Sequence, residues 1–204
     1  MKPFALLLNL LMLVLNGSSS QTPGHKKTGA DKFITVNIQP LGNISEEQVK
    51  YVHGELIRIF PSVWINQAIP LPLSAFYAPR NRYRADSLIA FLNRVTEDGQ
   101  VTIGITTKDI STTKGKIQDW GVMGLGFCPG KACVVSTFRL SKNELLDQLF
   151  KTCIHELGHT QGLDHCPVKT CFMRDAEGGN PTNEETGFCS NCKAILIAKG
   201  WNFQ

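Results

Sequence analysis

The stretch HELGHTQGLDHC, residues 155–166, is the most informative part of this sequence. Residues four apart on a helix lie on the same face, so His155 and His159 would present two imidazole nitrogens to one point. Gly162 gives the backbone free access to a positive φ, which would end the helix and let His165 approach the same point. Three imidazoles leave a zinc ion with an open coordination position. The spacing therefore predicts a zinc site on a helix.

Glu156 follows the first of these histidines and is expected to lie beside the metal without binding it. There it could take a proton from a zinc-activated water as general base and later give it to the leaving amine. The predicted reaction is hydrolysis of a peptide bond. A chance HExxH on a purely structural helix is the alternative, which the added glycine and third histidine disfavour.

The composition is that of an ordinary globular protein of 204 residues, with 42% hydrophobic and 19% charged residues. The length predicts one domain. The formal net charge is +4, but the basic residues are scattered apart from Arg80, Arg82 and Arg84. Nucleic-acid-binding proteins usually concentrate such residues in a stripe, so no nucleic-acid partner is expected.

The N-terminus has the pattern of a secretory signal peptide. Lys2 precedes an apolar run over residues 4–15, and small residues follow it. This pattern predicts a signal peptide over 1–20 and a polar, disordered lead-in over 21–32. The run is shorter than the roughly 18 residues of a membrane span, so none is expected in the mature chain. We therefore expect an exported protein, periplasmic or secreted, whose domain covers 33–204.

The rest of the sequence is predicted to alternate between strands and helices. Ser45 would open one helix through a capping-box pattern, and Ser141 would open another that runs into His155. Residues 70–84 carry three prolines and are predicted to form a loop. The predicted strands cover 33–38, 63–65, 101–106, 121–128 and 133–138, and two further helices cover 86–95 and 190–199. This order predicts an α/β (α+β) fold, in which a mixed twisted sheet packs on helices and one long helix carries the site.

Four cysteines near the C-terminus have the spacing of a second metal site. Two pairs of thiols, the second a CxxC, are typical of a closed tetrahedral zinc site. In an exported protein they could instead form disulfides, but zinc is favoured because the first of them adjoins His165. We expect this site to order a small C-terminal part, residues 164–204, next to an upper part formed by residues 33–163. The four are Cys166, Cys171, Cys189 and Cys192.

Over residues 155–192 the chain resembles the archaemetzincins, a family of zinc peptidases in the metzincin clan. The shared pattern is HExxH, a glycine, a third histidine with an adjoining cysteine, a second cysteine, a methionine and a CxxC pair. The resemblance implies a metzincin-like zincin fold with two zinc ions. It implies a catalytic zinc on the three histidines, Glu156 as general base, Met173 as the Met-turn residue under the site, and a structural zinc on the four cysteines.

The resemblance also implies that a peptide or protein substrate lies as an added strand along the edge of the sheet. Residues 121–127 are the candidate edge, because their three glycines would allow a close approach of two backbones. A glycine-weakened structural strand is the alternative. A zinc-stabilised peptide-binding protein with weak or no catalysis is the alternative function. We expect a monomer.

Three cysteines fall outside the second metal site. Cys128 and Cys133 flank a four-residue turn, where they could form a disulfide in an exported protein or remain two free thiols. Cys153 lies on a different helical face from His155 and is expected to be a small buried apolar residue.

Overall fold

A computed structural model describes residues 34–203 of the chain. The signal peptide predicted over 1–20 and the lead-in predicted over 21–32 lie outside the described residues. Within 34–203, no helix has both the length and the apolar character to cross a membrane.

Nine strands and four helices, joined by short 3-10 turns, make up the described part of the chain. The strands are β1 (Thr35–Leu41), β2 (Ser62–Ile65), β3 (Phe76–Tyr77), β4 (Arg82–Arg84), β5 (Gln100–Thr106), β6 (Ile110–Lys114), β7 (Ile117–Val122), β8 (Gly124–Gly126) and β9 (Ala132–Ser136). The helices are α1 (Glu46–Leu56), α2 (Ala85–Val95), α3 (Leu145–Thr160) and α4 (Ser190–Ala198).

The main sheet has the strand order β2-β1-β5-β9-β8. Its first four strands are parallel, and β8 pairs antiparallel with β9 at one edge. A second sheet has the order β3-β4-β6-β7. Since the sheets contain both parallel and antiparallel pairs and pack on helices, the predicted mixed α/β fold is confirmed.

Helices cover both faces of the main sheet, because its central strands are apolar on both sides. On β9, Cys133 and Val135 belong to the buried cluster that includes residues of α1 and α3, whereas Ala132 and Val134 belong to the cluster that includes α2. A strand buried on both faces needs apolar side chains at successive positions. This packing fixes α3 against the sheet beside β9 and β8.

One predicted helix start is confirmed and the other is wrong. The Ser45 side chain accepts the backbone N–H of Gln48 at 3.3 Å, which caps α1. Ser141 does not cap α3, which begins at Leu145 after Glu144. Instead, the backbone N–H of Ser141 donates to Oε1 of Gln148 at 2.8 Å, and the distant Asn180 side chain donates to the same oxygen at 2.8 Å.

The region before α3 differs most from the sequence-based expectation. The single strand predicted over 121–128 is divided, because β7 ends at Val122 in the second sheet and β8 begins at Gly124 in the main sheet. The strand β6 was not predicted, since its residues Ser111 to Lys114 are polar and carry no apolar alternation. The loop predicted over 70–84 contains the short strands β3 and β4.

Candidate metal centre and active site

The helix α3 carries the first half of the site because its two faces differ in chemistry. Leu149, Cys153 and Ile154 are fully buried in the core on one side. His155 and His159 lie on the side that lines a cleft of about 700 Å³. The core contacts therefore fix the direction in which the two imidazoles project.

Three histidine side chains converge at one wall of this cleft. The ligand nitrogens of His155, His159 and His165 all lie within 4.8 Å of one another, and the Nε2 atoms of the first two are 3.0 Å apart. The opposite ring nitrogens of these two lie 2.6 and 2.7 Å from the carbonyl oxygens of Phe172 and Leu163. The Nδ1–H groups must donate to those carbonyls, which leaves both Nε2 lone pairs facing the same point.

Two lone pairs facing each other at 3.0 Å repel unless a cation lies between them. Two nitrogen ligands of a tetrahedral zinc ion would be about 3.3 Å apart, given Zn–N distances of about 2.0–2.1 Å. Burial, with a smaller contribution from the neighbouring His159, lowers the pKa of His155 to about 3. A neutral imidazole is the form that binds metal, so the donor set fits zinc.

The turn after α3 brings the third histidine to the site. Gly162 has φ +89°, and the backbone N–H of Leu163 donates to the Gly158 carbonyl at 3.2 Å while that of Gly162 donates to the His159 carbonyl at 2.8 Å. These two bonds form a Schellman motif. The predicted role of Gly162 in ending the helix is confirmed.

Asp175 orients the third histidine and was missed from the sequence. Its Oδ2 lies 3.5 Å from Nδ1 of His165, and the backbone N–H of Glu177, which donates to its Oδ1 at 2.9 Å, lowers its pKa. A carboxylate on one ring nitrogen of a histidine directs the other nitrogen to a metal. No spacing rule connects residue 175 to residue 165, so only the folded chain reveals the pair.

The side chain of Glu156 projects from α3 toward strand β8 at the edge of the sheet, and it also lines the cleft. A Cβ atom placed on Gly124 would lie 2.5 Å from its Oε1, and one on Gly126 would lie 2.8 Å from its backbone oxygen. The glycines of β8 therefore let the edge strand pass directly over the carboxylate. Burial raises the pKa of Glu156 to about 8.

Met173 packs against α3 at Gly158, which lies between the two helical histidines in sequence. It is fully buried, and its Sδ would be only 2.4 Å from a Cβ atom placed on Gly158. The backbone N–H of Cys166 donates to the Met173 carbonyl at 2.7 Å. The C-terminal part of the chain is thereby in contact with α3 below the site.

The four cysteines of the second predicted site also converge. The sulfur atoms of Cys166, Cys171, Cys189 and Cys192 all lie within 4.8 Å of one another, and no disulfide joins them. The sulfurs of Cys166 and Cys189 are 3.7 Å apart. Two thiolates on a tetrahedral zinc ion would be roughly 3.8 Å apart, given a Zn–S distance of about 2.3 Å. The backbone amide of Cys192 contributes most to lowering the pKa of Cys189, to about 7, so this cluster also fits zinc.

The structure has no disulfide between Cys128 and Cys133, and whether one forms stays an open prediction. Both thiols are free, and the register of β8 and β9 places Gly126 opposite Cys133. Cys133 is buried in the core, whereas Cys128 is exposed and donates to the Leu163 carbonyl at 3.5 Å. The prediction for Cys153 is confirmed, since it is fully buried.

Comparisons with known proteins agree with this geometry. The model of Peptidase family M54 matches residues 43–197. The chain is 31% identical to an archaemetzincin of Archaeoglobus fulgidus over 166 residues, which cover 79% of this chain and 98% of that protein. It is 29% identical to an archaemetzincin of Halobacterium salinarum, with 79% and 99% of the two chains covered.

Solved structures show the same relationship. The crystal structure of archaemetzincin from Archaeoglobus fulgidus complexed with malonate has a TM-score of 0.68 at 30% identity, with 79% of this chain and 99% of that chain covered. Archaemetzincin from Methanopyrus kandleri has a TM-score of 0.70 at 23% identity, with 82% and 95% covered, which shows the shared fold.

The fold and the three-histidine site define a zinc metallopeptidase of the zincin type. More narrowly, the chain belongs to Peptidase family M54, the archaemetzincins. The resemblance inferred from residues 155–192 is therefore confirmed, as is the metzincin-like fold. Membership of a peptidase family implies a protein or peptide substrate.

Proposed function

We propose that the protein hydrolyses peptide bonds in the cleft with Glu156 as general base. The observation that carries this proposal is the position of the Glu156 carboxylate. It lines the cleft one residue from His155 and lies against Gly124 of the edge strand. A general base has to reach the attacking water without competing for the metal, and this position supports that role.

Each residue of the proposed active site has a separate role in the reaction. His155, His159 and His165 would hold the zinc ion, with the first two oriented by backbone carbonyls and the third by Asp175. Zinc, when bound there, supplies Lewis acidity toward the scissile carbonyl and the attacking water. Glu156 takes one proton as the water oxygen bonds to the carbonyl carbon, and gives it to the amine as the carbon–nitrogen bond breaks.

We also propose that the substrate backbone binds along β8. This strand ends the sheet order, so its outer edge has no partner strand among the described residues. Gly124 and Gly126 have no side chains to hold a second backbone away, which suits strand addition to a sheet edge. The proposed contact covers the central part of the predicted 121–127 segment, because residues 121–122 belong to the second sheet.

A count of two zinc ions per chain is the next part of the proposal. The 3.7 Å separation of the Cys166 and Cys189 sulfurs supports a structural zinc in the four-cysteine cluster. Metal analysis of purified protein should give two zinc ions per chain. One zinc ion together with oxidised cysteines would contradict this count.

We further propose export to the periplasm or the cell exterior, with residues 33–204 forming one domain that acts as a monomer. The apolar run over residues 4–15 supports export. N-terminal sequencing of the protein recovered outside the cytoplasm should find a start near residue 21. Light scattering should give the mass of one chain.

The test of catalysis compares the wild-type protein with Glu156→Gln, both loaded with zinc, on a broad library of quenched fluorescent peptides. The wild type should cleave peptides and lose this activity to a chelator, and the variant should be slower by about 10²–10⁴-fold in kcat/KM. Equal zinc content in both proteins controls for loss of metal. Zinc-loaded wild type that binds peptides without cleaving them would instead identify a peptide-binding protein.

A further inference from the structure

The cleft extends from the histidines back along α3. Thr152 lies three residues before His155, so both project from the same helical face, with a rise of roughly 4.5 Å between them. Lys151 and Thr152 line this end of the cleft together with Thr182 and Glu185 from the C-terminal part. A substrate side chain next to the bond being cleaved would enter this end of the cleft.

Glu185 is a buried carboxylate that has no partner. It is only 4% exposed, yet it lines the cleft. Its carboxylate oxygens keep some access to solvent through the cleft. Within residues 34–203, no hydrogen bond or ion pair reaches its carboxylate. Burial raises the pKa of Glu185 to about 7 and outweighs the opposing effect of the nearby Lys151 and Arg174.

The nearest cationic side chains are engaged elsewhere. Lys151 Nζ lies 2.7 Å from Asp147 and donates to the Thr182 carbonyl at 2.9 Å. Arg174 pairs with Glu184 at 2.6 Å. Both cations are near enough to lower the pKa of Glu185, but neither forms an ion pair with its carboxylate. The adjacent Glu184 is largely exposed and has a direct partner.

Leaving a carboxylate buried and unpaired costs free energy, which a cation that enters the cleft would offset. Arginine can bind a carboxylate through two parallel hydrogen bonds, and lysine can bind it as a point charge. We propose that Glu185 selects substrates with arginine or lysine at one of the two residues that flank the scissile bond. This inference rests on the proposed peptide hydrolysis and adds the class of side chain that the cleft recognises.

The experiment uses matched peptides that carry either arginine or its neutral isostere citrulline at each flanking position in turn. At one of the two positions, the zinc-loaded wild type should cleave the arginine peptide with a kcat/KM about tenfold higher or more. Glu185→Gln keeps the size of the side chain and should bring the ratio within about twofold. Glu47→Gln removes one exposed carboxylate of α1, outside the cleft, and should leave the ratio unchanged.

A binding measurement keeps this inference separate from catalysis. Zinc-loaded Glu156→Ala protein should bind the arginine peptide about tenfold more tightly than the citrulline peptide by fluorescence anisotropy, and adding Glu185→Gln should remove that difference. Glu156-dependent cleavage with equal rates for both peptides would overturn the role of Glu185 and leave the proposed function standing. A preference for the arginine peptide in binding, with no cleavage of any peptide by the wild type, would overturn the proposed function and leave the role of Glu185 standing. A preference that persists in Glu185→Gln, or no preference in either assay, also overturns the inference.

Discussion

The two metal-ligand clusters lie in regions that are built differently. His155 and His159 project from α3, a helix of 16 residues that packs on the main sheet. Of the four cysteines, Cys166 and Cys171 lie in a segment with little regular structure and only isolated bridges. Cys189 is the N-cap residue of α4, and Cys192 lies in its first turn. Both regions contribute to one hydrophobic core, to which the second supplies Met173, Leu196 and Trp201. Because the second region has less regular hydrogen bonding, we expect its stability to depend more on what its ligands bind.

The third histidine belongs to the second region although it serves the first. His165 follows the turn at Gly162 and directly precedes Cys166, and its other ring nitrogen is oriented by Asp175. Aromatic contacts add some support, since Phe188 packs edge-on against Trp201 at 5.6 Å. We infer that a metal in the cysteine cluster helps to position His165.

Removal of metal should have the largest effect, and it should separate the two regions. A chelator that strips both sites should reduce hydrogen-exchange protection in residues 164–200 by about 10²-fold or more, because metal binding supplies folding free energy in such sites. Protection in the middle of α3 should change much less, because its core contacts remain. The measurement is exchange mass spectrometry with and without chelator. Equal loss of protection in both regions would show that they fold as one unit.

A smaller effect is expected where the two regions touch. Gly158→Ala would place a Cβ atom 2.4 Å from the Met173 sulfur, which is fully buried. Although alanine favours the helix, crowding a packed core should lower the free energy of unfolding by about 1–3 kcal/mol. Urea denaturation of the zinc-loaded protein measures this.

The control is the double variant Gly158→Ala with Met173→Ala. Removing the sulfur should make the added methyl group on residue 158 less harmful, which gives a favourable coupling free energy in a double-mutant cycle. If the effects of the two substitutions on the free energy of unfolding simply add, crowding against Met173 is not the reason why residue 158 has to be glycine.

The sequence was most informative where a local rule determines the geometry. Helix periodicity placed His155 and His159 together, and the need for a positive φ identified Gly162 as the end of α3. The spacing of the cysteines indicated the second cluster. The mixed sheet followed from apolar strands that alternate with helices.

The parts that could not be predicted depend on contacts between distant segments. Ser141 has the pattern of a helix cap, but its backbone N–H donates to a Gln148 oxygen that also accepts from the distant Asn180, and α3 starts later. Residues 121–126 form a continuous run in sequence, yet they divide between two sheets. Asp175 and Glu185 reach the cleft only through the folding of the C-terminal part, in which no periodic pattern assigns side chains to a face.

The most direct test of whether the cysteine cluster positions His165 is zinc content and activity measured on Cys189→Ser. Zinc should fall from two ions per chain to one, and kcat/KM should also fall by about tenfold or more, because ligand-supporting changes of this kind typically cost 10–100-fold. Cys153→Ala, a buried cysteine outside both clusters, should keep two zinc ions and near-normal activity. A Cys189→Ser protein that loses one zinc ion and keeps full kcat/KM would contradict the claim that the cysteine cluster positions His165.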